Sequence, residues 1–143
     1  MRFTITFICQ RGELEAKAVL LAASLRRQLV APVDLVACLP MPETVWGRPS
    51  RATLRALEAL GVATVPVGNP IGDAYPIGNK IACLSAPLTT SAPATDRIVF
   101  LDSDILCTAP LDPGHELAAA FSVKPVDFAT FAGGPAEIGR AHV

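Results

Sequence analysis

Apolar positions along this chain fall into short runs of strand length that alternate with longer stretches of helical spacing. Phe3 to Cys9 is one such run, and Gln10-Arg-Gly12 makes the turn out of it. From Glu13 to Leu29, the apolar residues Leu14, Ala18, Leu21, Leu25 and Leu29 recur on one helical face. Glu13 and Glu15 open that helix and Arg26 and Arg27 close it, the charge order its dipole favours.

The alternation continues. Val33 to Leu39 predicts a second strand, and Pro40 to Pro49 a proline-rich loop holding the only tryptophan, Trp46. Ser50 is placed to cap a helix that runs through Leu60, with Gly61 as its stop. Val62 to Val67 predicts a third strand, Gly68 to Pro76 a polar loop, and Ile77 to Ala86 a helix. A polar connection, Pro87 to Asp96, leads to Ile98-Val-Phe-Leu101, apolar on both alternating faces as expected of a central parallel strand covered on both sides. Beyond Cys107 the signals thin: Gly114 to Phe121 suggests a short helix and Val126 to Phe131 a strand. Strict alternation of strand and helix predicts right-handed crossovers and an α/β, Rossmann-like fold, a mostly parallel sheet between helices.

Composition narrows the class. With 143 residues, 51% of them hydrophobic and 17% charged, the chain suits one folded domain and not a disordered one. A net charge of −1 gives no electrostatic footprint for nucleic acid or a membrane surface. The apolar run at the N-terminus is too short for a signal peptide, and no stretch reaches the length of a membrane span, so a cytoplasmic protein is expected. Cys9, Cys38, Cys83 and Cys107 are widely spaced, without a Cys-x-x-Cys pair, and are expected as small buried hydrophobes in a reducing compartment.

Candidate chemistry enters where the fourth strand ends. Asp102 and Asp104 flank Ser103 at the carboxyl end of a predicted strand, where open α/β sheets bind ligands. Two carboxylates about 5 Å apart repel by roughly 3 kcal/mol at an effective dielectric near 20, a cost that a divalent cation would remove. Oxygen-only ligation suits Mg2+ or Mn2+ completed by water and substrate phosphates. The plainer reading is that Asp102 and Ser103 only turn the chain.

Tyr75-Pro-Ile-Gly-Asn79-Lys80 at a loop-to-helix junction, followed by Arg97-Ile-Val-Phe-Leu-Asp-Ser-Asp104, resembles the nucleotide-diphospho-sugar transferase superfamily, the GT-A glycosyltransferase fold. The similarity spans the first strand to just past the acidic pair, the donor-binding half of such enzymes. It implies a metal-dependent glycosyltransferase that takes a sugar from a nucleoside-diphosphate donor to an acceptor. Asp102 would then be the nucleotide-side acid, Asp104 the principal ligand of Mn2+ or Mg2+, and Asn79 and Lys80 neighbours of the nucleotide or its phosphates. From the residues alone, a lysine and unpaired amides at a helix start can serve a phosphate, while a solvated helix residue explains Lys80 as well. Arg11 could pair with a phosphate or merely sit in a surface turn. Trp46 could stack on a base or sugar, or plug the rim of the core.

The last residues, Ile138-Gly-Arg-Ala-His-Val143, coincide with a one-frame translation of the start of a common sequencing adapter. The expectation is therefore an incomplete nucleotide-sugar-binding domain over residues 1–136 and a non-native tail over 137–143. Three rival readings follow. A haloacid-dehalogenase-like phosphatase also uses a strand-end pair of aspartates, but here Ile105 and Leu106 follow where Gly and Thr are usual. A sugar nucleotidyltransferase would carry a Gly-rich loop after the first strand, where Gln10-Arg-Gly-Glu13 has one glycine. The last rival is a nucleotide-binding fragment without catalysis.

Overall fold

The computed structural model describes residues 1–72, 74–89 and 95–116. The elements, in order, are β1 (Phe3–Ile8), α1 (Glu13–Gln28), β2 (Asp34–Met41), α2 (Glu43–Trp46), α3 (Arg51–Ala59), β3 (Val62–Gly68), α4 (Gly78–Thr89), β4 (Arg97–Phe100) and α5 (Pro113–Glu116). The four strands form a parallel sheet in the order β3-β2-β1-β4. This is the α/β, Rossmann-like architecture expected from the alternation of elements.

Two faces of the sheet bury two clusters, because side chains alternate along each strand. Phe3, Ile5 and Phe7 of β1 pack with Leu35 and Ala37 of β2 against Ala18, Leu21, Ala22 and Leu25 of α1 and Leu57 of α3. On the other face Ile8, Val36, Cys38 and Val67 meet Ala82, Cys83 and Ala86 of α4. The helix dipole reading of α1 holds, with Glu13 and Glu15 first and Arg26 and Arg27 last. Ser50 caps α3 as anticipated, its side chain accepting from the Thr53 amide at 3.1 Å.

Three expectations are refined. Among the described residues β1 and β2 hold the inner positions of the sheet, and β4, expected as a central strand, pairs only with β1. Its apolar pattern arises because both faces are packed nonetheless, Val99 and Leu101 against the α1 cluster and Phe100 against the α4 cluster. The proline-rich loop contains a helical turn, α2, that buries Trp46. And α4 does not stop at Ala86 but runs through Pro87 to Thr89. Pro87 has no N–H to give the carbonyl four residues earlier, that of Cys83, and the Cys38 thiol donates to that carbonyl instead, at 3.8 Å. Cys9, Cys38 and Cys83 are buried, Cys107 is half-buried, and all four are free, as expected. Most of the proposed 114–121 helix, the strand at 126–131 and the tail at 137–143 lie outside the described residues.

Candidate functional site

From β1 the chain steps outward through β2 to β3, then returns to place β4 on the opposite side of β1. Such a reversal opens a crevice at the carboxyl ends of the two strands that part there. Those ends are Ile8 to Gly12 after β1 and Leu101 to Asp104 after β4.

Several hydrogen bonds fix the loop after β4. The Leu101 amide extends the ladder to the Thr6 carbonyl at 3.0 Å, and the Ile105 amide closes a turn on the Asp102 carbonyl at 3.1 Å. Between them Ser103 is buried, and its Oγ donates to the Ile8 carbonyl at 2.5 Å. The next anchor is the Cys107 amide, which donates to Ser24 Oγ of α1 at 3.0 Å. With Ser103 turned inward, the acids on either side are left toward solvent.

They part to opposite faces of the crevice. Asp102 meets α4: Lys80 Nζ lies 2.6 Å from its Oδ1, with side-chain exposures of 42% for Lys80 and 47% for Asp102. Asp104 is exposed on the α1 side, where it lines a shallow hollow of about 180 Å³ with Lys17, Leu20, Ser103, Ile105 and Leu106. Asp102 does not line that hollow. Among the described residues, no three His, Cys, Asp or Glu side chains gather in a set able to hold a metal.

The structure therefore brings Lys80 and Asp102 together, with Asn79 next to Lys80 in α4, and leaves Asp104 and Arg11 outside that pair. Asn79, beside Lys80 in the first turn of α4, is 1% exposed, and its Oδ1 has no hydrogen-bond partner among the described residues. Arg11 is exposed, and its aliphatic stem lies over Gly47, where a Cβ would come within 2.7 Å of Arg11 Cδ. That close approach and a φ of +72 both require glycine at position 47. Trp46, buried next to it, plugs the rim of the core as the plainer reading had it, with its Nε1 unpartnered among the described residues.

The start of α4 does not offer the open amides expected there. The amides of Gly78, Asn79 and Lys80 already donate to the carbonyls of Tyr75, Pro76 and Ile77 at 3.0, 3.1 and 2.9 Å. The cation at this helix start is the Lys80 side chain, not the helix terminus. Sequence reasoning also passed over Lys17 and gave Ser103 no role beyond turning the chain. Lys17 follows the turn after β1 by one helical turn and so faces the same crevice, a placement that its distance from Gly12 makes legible.

A parallel sheet with a reversal in strand order, carrying acids and a lysine at the parting strand ends, defines a ligand-binding α/β domain. The chain matches the family model of the Rhodobacterales glycosyltransferase domain over residues 5–136 and belongs to that family. It is thus a glycosyltransferase, an enzyme that passes a sugar from a donor to an acceptor. No curated protein matches it. No described helix is long and apolar enough to cross a membrane.

Proposed function

We propose that this glycosyltransferase, in the manner of the GT-A fold, draws its sugar from a nucleoside-diphosphate donor with the help of Mn2+ or Mg2+. The observation that carries this reading is the acidic loop itself: Ser103 ties Asp102 and Asp104 to the end of β1, at the reversal in strand order. The donor set is carboxylate oxygen only, which suits a hard cation that fills its remaining positions with water and phosphate oxygens. Asp104, exposed and outside the Lys80 ion pair, is the principal ligand, and Asp102 is the second. Such a cation, when bound, acts as a Lewis acid toward the negative charge that develops on the departing nucleoside diphosphate.

The chain's own groups have complementary tasks. Lys80 and Arg11 offer positive charge to the phosphates. Asn79 presents a buried acceptor, Oδ1, to a donor group of the nucleotide. Four free cysteines, two of them neighbours at β2 and α4, fit a reducing cytoplasm. The family assignment leaves the phosphatase alternative without support. One observation does favour binding without turnover as a second reading: the two acids face different sides of the crevice.

Calorimetric titration of UDP and GDP, each with and without Mn2+, tests the proposal. Metal-dependent binding that Asp104→Ala abolishes is the expected result. Binding indifferent to metal, or none, would overturn it, and binding with no hydrolysis or transfer of any sugar donor would leave the second reading.

A further inference from the structure

We propose that Asn69, in the loop after β3, is a positioning residue: its side-chain amide sets the first turn of α4, and through that turn the places of Asn79 and Lys80. What Asn79 and Lys80 do for a nucleotide rests on the donor-site reading above. The tie between Asn69 and α4 does not.

Asn69 holds the loop by both halves of its amide. Oδ1 accepts from the Ile71 amide at 2.9 Å, and Nδ2 donates to the Tyr75 carbonyl at 2.8 Å. The same Tyr75 carbonyl accepts from the Gly78 amide at 3.0 Å, so one oxygen joins Asn69 to the start of α4. Two backbone bonds complete the path, from the Gly72 amide to the Asn69 carbonyl at 3.4 Å and from the Tyr75 amide to the Gly72 carbonyl at 3.1 Å. Burial of large side chains does not do this work, because Ile71, Tyr75 and Ile77 are each about half-exposed.

Close packing ties the two residues as well. A Cβ at position 78 would come within 2.7 Å of Asn69 Cγ and 2.8 Å of Nδ2, and nearer still to Oδ1. Gly78 has no positive φ, so its backbone does not demand glycine; the room taken by the Asn69 amide does. A displacement of the first turn breaks the bond to Tyr75 or drives Gly78 into the amide. Two residues further on, Lys80 Nζ lies 2.6 Å from Asp102 Oδ1, and Asn79 is buried beside it in sequence. Where that turn stands decides what both side chains reach.

Position 69 needs a donor and an acceptor on one short stem, which asparagine supplies and aspartate does not. Asn69→Asp keeps an acceptor for the Ile71 amide and turns a second acceptor on the Tyr75 carbonyl. Gly78→Ala brings in the better helix former, so a loss it causes belongs to the displaced amide and not to a weaker helix.

Acetylation of Lys80 in the whole chain, followed by mass spectrometry with Lys17 as internal reference, reads the place of the ammonium with no nucleotide present. Asn69→Ala, Asn69→Asp and Gly78→Ala should each speed it about threefold or more, the scale of coupling within one network, since Asp102 no longer covers the amine. An unchanged Lys17 rate shows that the variants are folded. Calorimetry should find UDP binding weakened about fivefold in each. Gly78→Ala added to Asn69→Ala should cost nothing further, and Asn69→Ala should cost less in a Lys80→Met background than alone. Unchanged Lys80 acetylation in all three variants overturns the proposal. So do unchanged UDP affinity in the variants of a parent that binds it, and strictly additive losses from Asn69→Ala and Lys80→Met, which would make Asn69 a structural residue only. Faster acetylation in a protein whose parent form binds neither UDP nor GDP would leave Asn69 in control of Lys80 and remove the donor-site reading instead.

Discussion

Lys80 Nζ of α4 sits 2.6 Å from Asp102 Oδ1 at the end of β4, so the two sequence stretches that carry the candidate chemistry meet in one ion pair. Both side chains are close to half-exposed, and exposed pairs contribute about 0.2–1 kcal/mol. Lys80→Met should therefore lower the unfolding free energy by no more than about 1 kcal/mol, while weakening UDP binding several-fold. Urea unfolding beside calorimetry checks this. A loss of several kcal/mol would make Lys80 a structural residue first.

Ser103 should behave in the opposite way. Its Oγ is the hydrogen-bond partner that ties the acidic loop to the Ile8 carbonyl, and both ends of that bond are buried. Ser103→Ala leaves a buried carbonyl without its partner, at a cost of about 1–3 kcal/mol. It also frees the loop, so metal-dependent nucleotide binding should fall at least tenfold. Retention of full affinity in a destabilised Ser103→Ala protein would show that the acids need no anchoring.

Asn79 separates stability from binding. A buried acceptor without a partner is a burden on the folded state, and Asn79 Oδ1 is such an acceptor. Asn79→Ala, which removes that acceptor without adding bulk, should change the unfolding free energy by about 1 kcal/mol or less, the orphaned acceptor's cost offsetting the small void, and should abolish a nucleotide contact made through Oδ1. Calorimetry with UDP and GDP reads the loss. Unaltered affinity for both would remove Asn79 from the site.

The turn between β1 and α1 carries a pH dependence. Glu15 Oε2 accepts from the Ser50 amide at 2.7 Å and from Thr53 Oγ1 at 2.6 Å, and Oε1 accepts from the Gly12 amide at 3.2 Å. The bond from Thr53 is the largest cause that holds this carboxyl down, at about 2 against an ordinary 4.5. A carboxyl depressed on folding stabilises above its unfolded value and loses that contribution as pH falls. Stability linked to Glu15 should thus be complete above pH 4.5 and should drain away toward pH 2. Because solvent reaches this carboxylate, the effect should be about 1–2 kcal/mol, the range for a hydrogen bond to a charged group with some screening. Glu15→Gln should flatten the pH profile of urea unfolding over that window. A profile that keeps its slope would place the dependence on other acids.

Much of this was legible in the chain. The strand-to-helix alternation dictates a parallel sheet, and the abrupt end of Ile98-Val-Phe-Leu101 in Asp102-Ser-Asp104 marks a strand end with charge to deliver. The position of β4 was not legible, because Val99 and Phe100 pack on opposite faces whether their strand is inner or outer. Nor was the pairing of Asp102 with Lys80, which joins residues 22 positions apart through the packing of α4 on β1 and β4. The separation of the two acids to α4 and α1 follows from Ser103 turning inward, and a serine's direction in a loop is set by the carbonyl it finds, here that of Ile8.

The end of α4 supplies a last test. Pro87 lacks the N–H that would bond the Cys83 carbonyl, and the Cys38 thiol from β2 fills the gap at 3.8 Å. Hydrogen bonding to the Cys83 side chain and burial both push the Cys38 thiol up, so it stays protonated and able to donate. Cys38→Ala removes that thiol donor and part of a buried side chain and should cost about 0.5–3 kcal/mol. Pro87→Ala restores a helical N–H to that carbonyl, so in its background Cys38→Ala should cost measurably less. A double-mutant cycle by urea unfolding gives the difference, expected at about 0.5–1 kcal/mol or more. Strict additivity would mean that the thiol and the proline are independent, and that the helix passes Pro87 for some other reason than the donor beneath it.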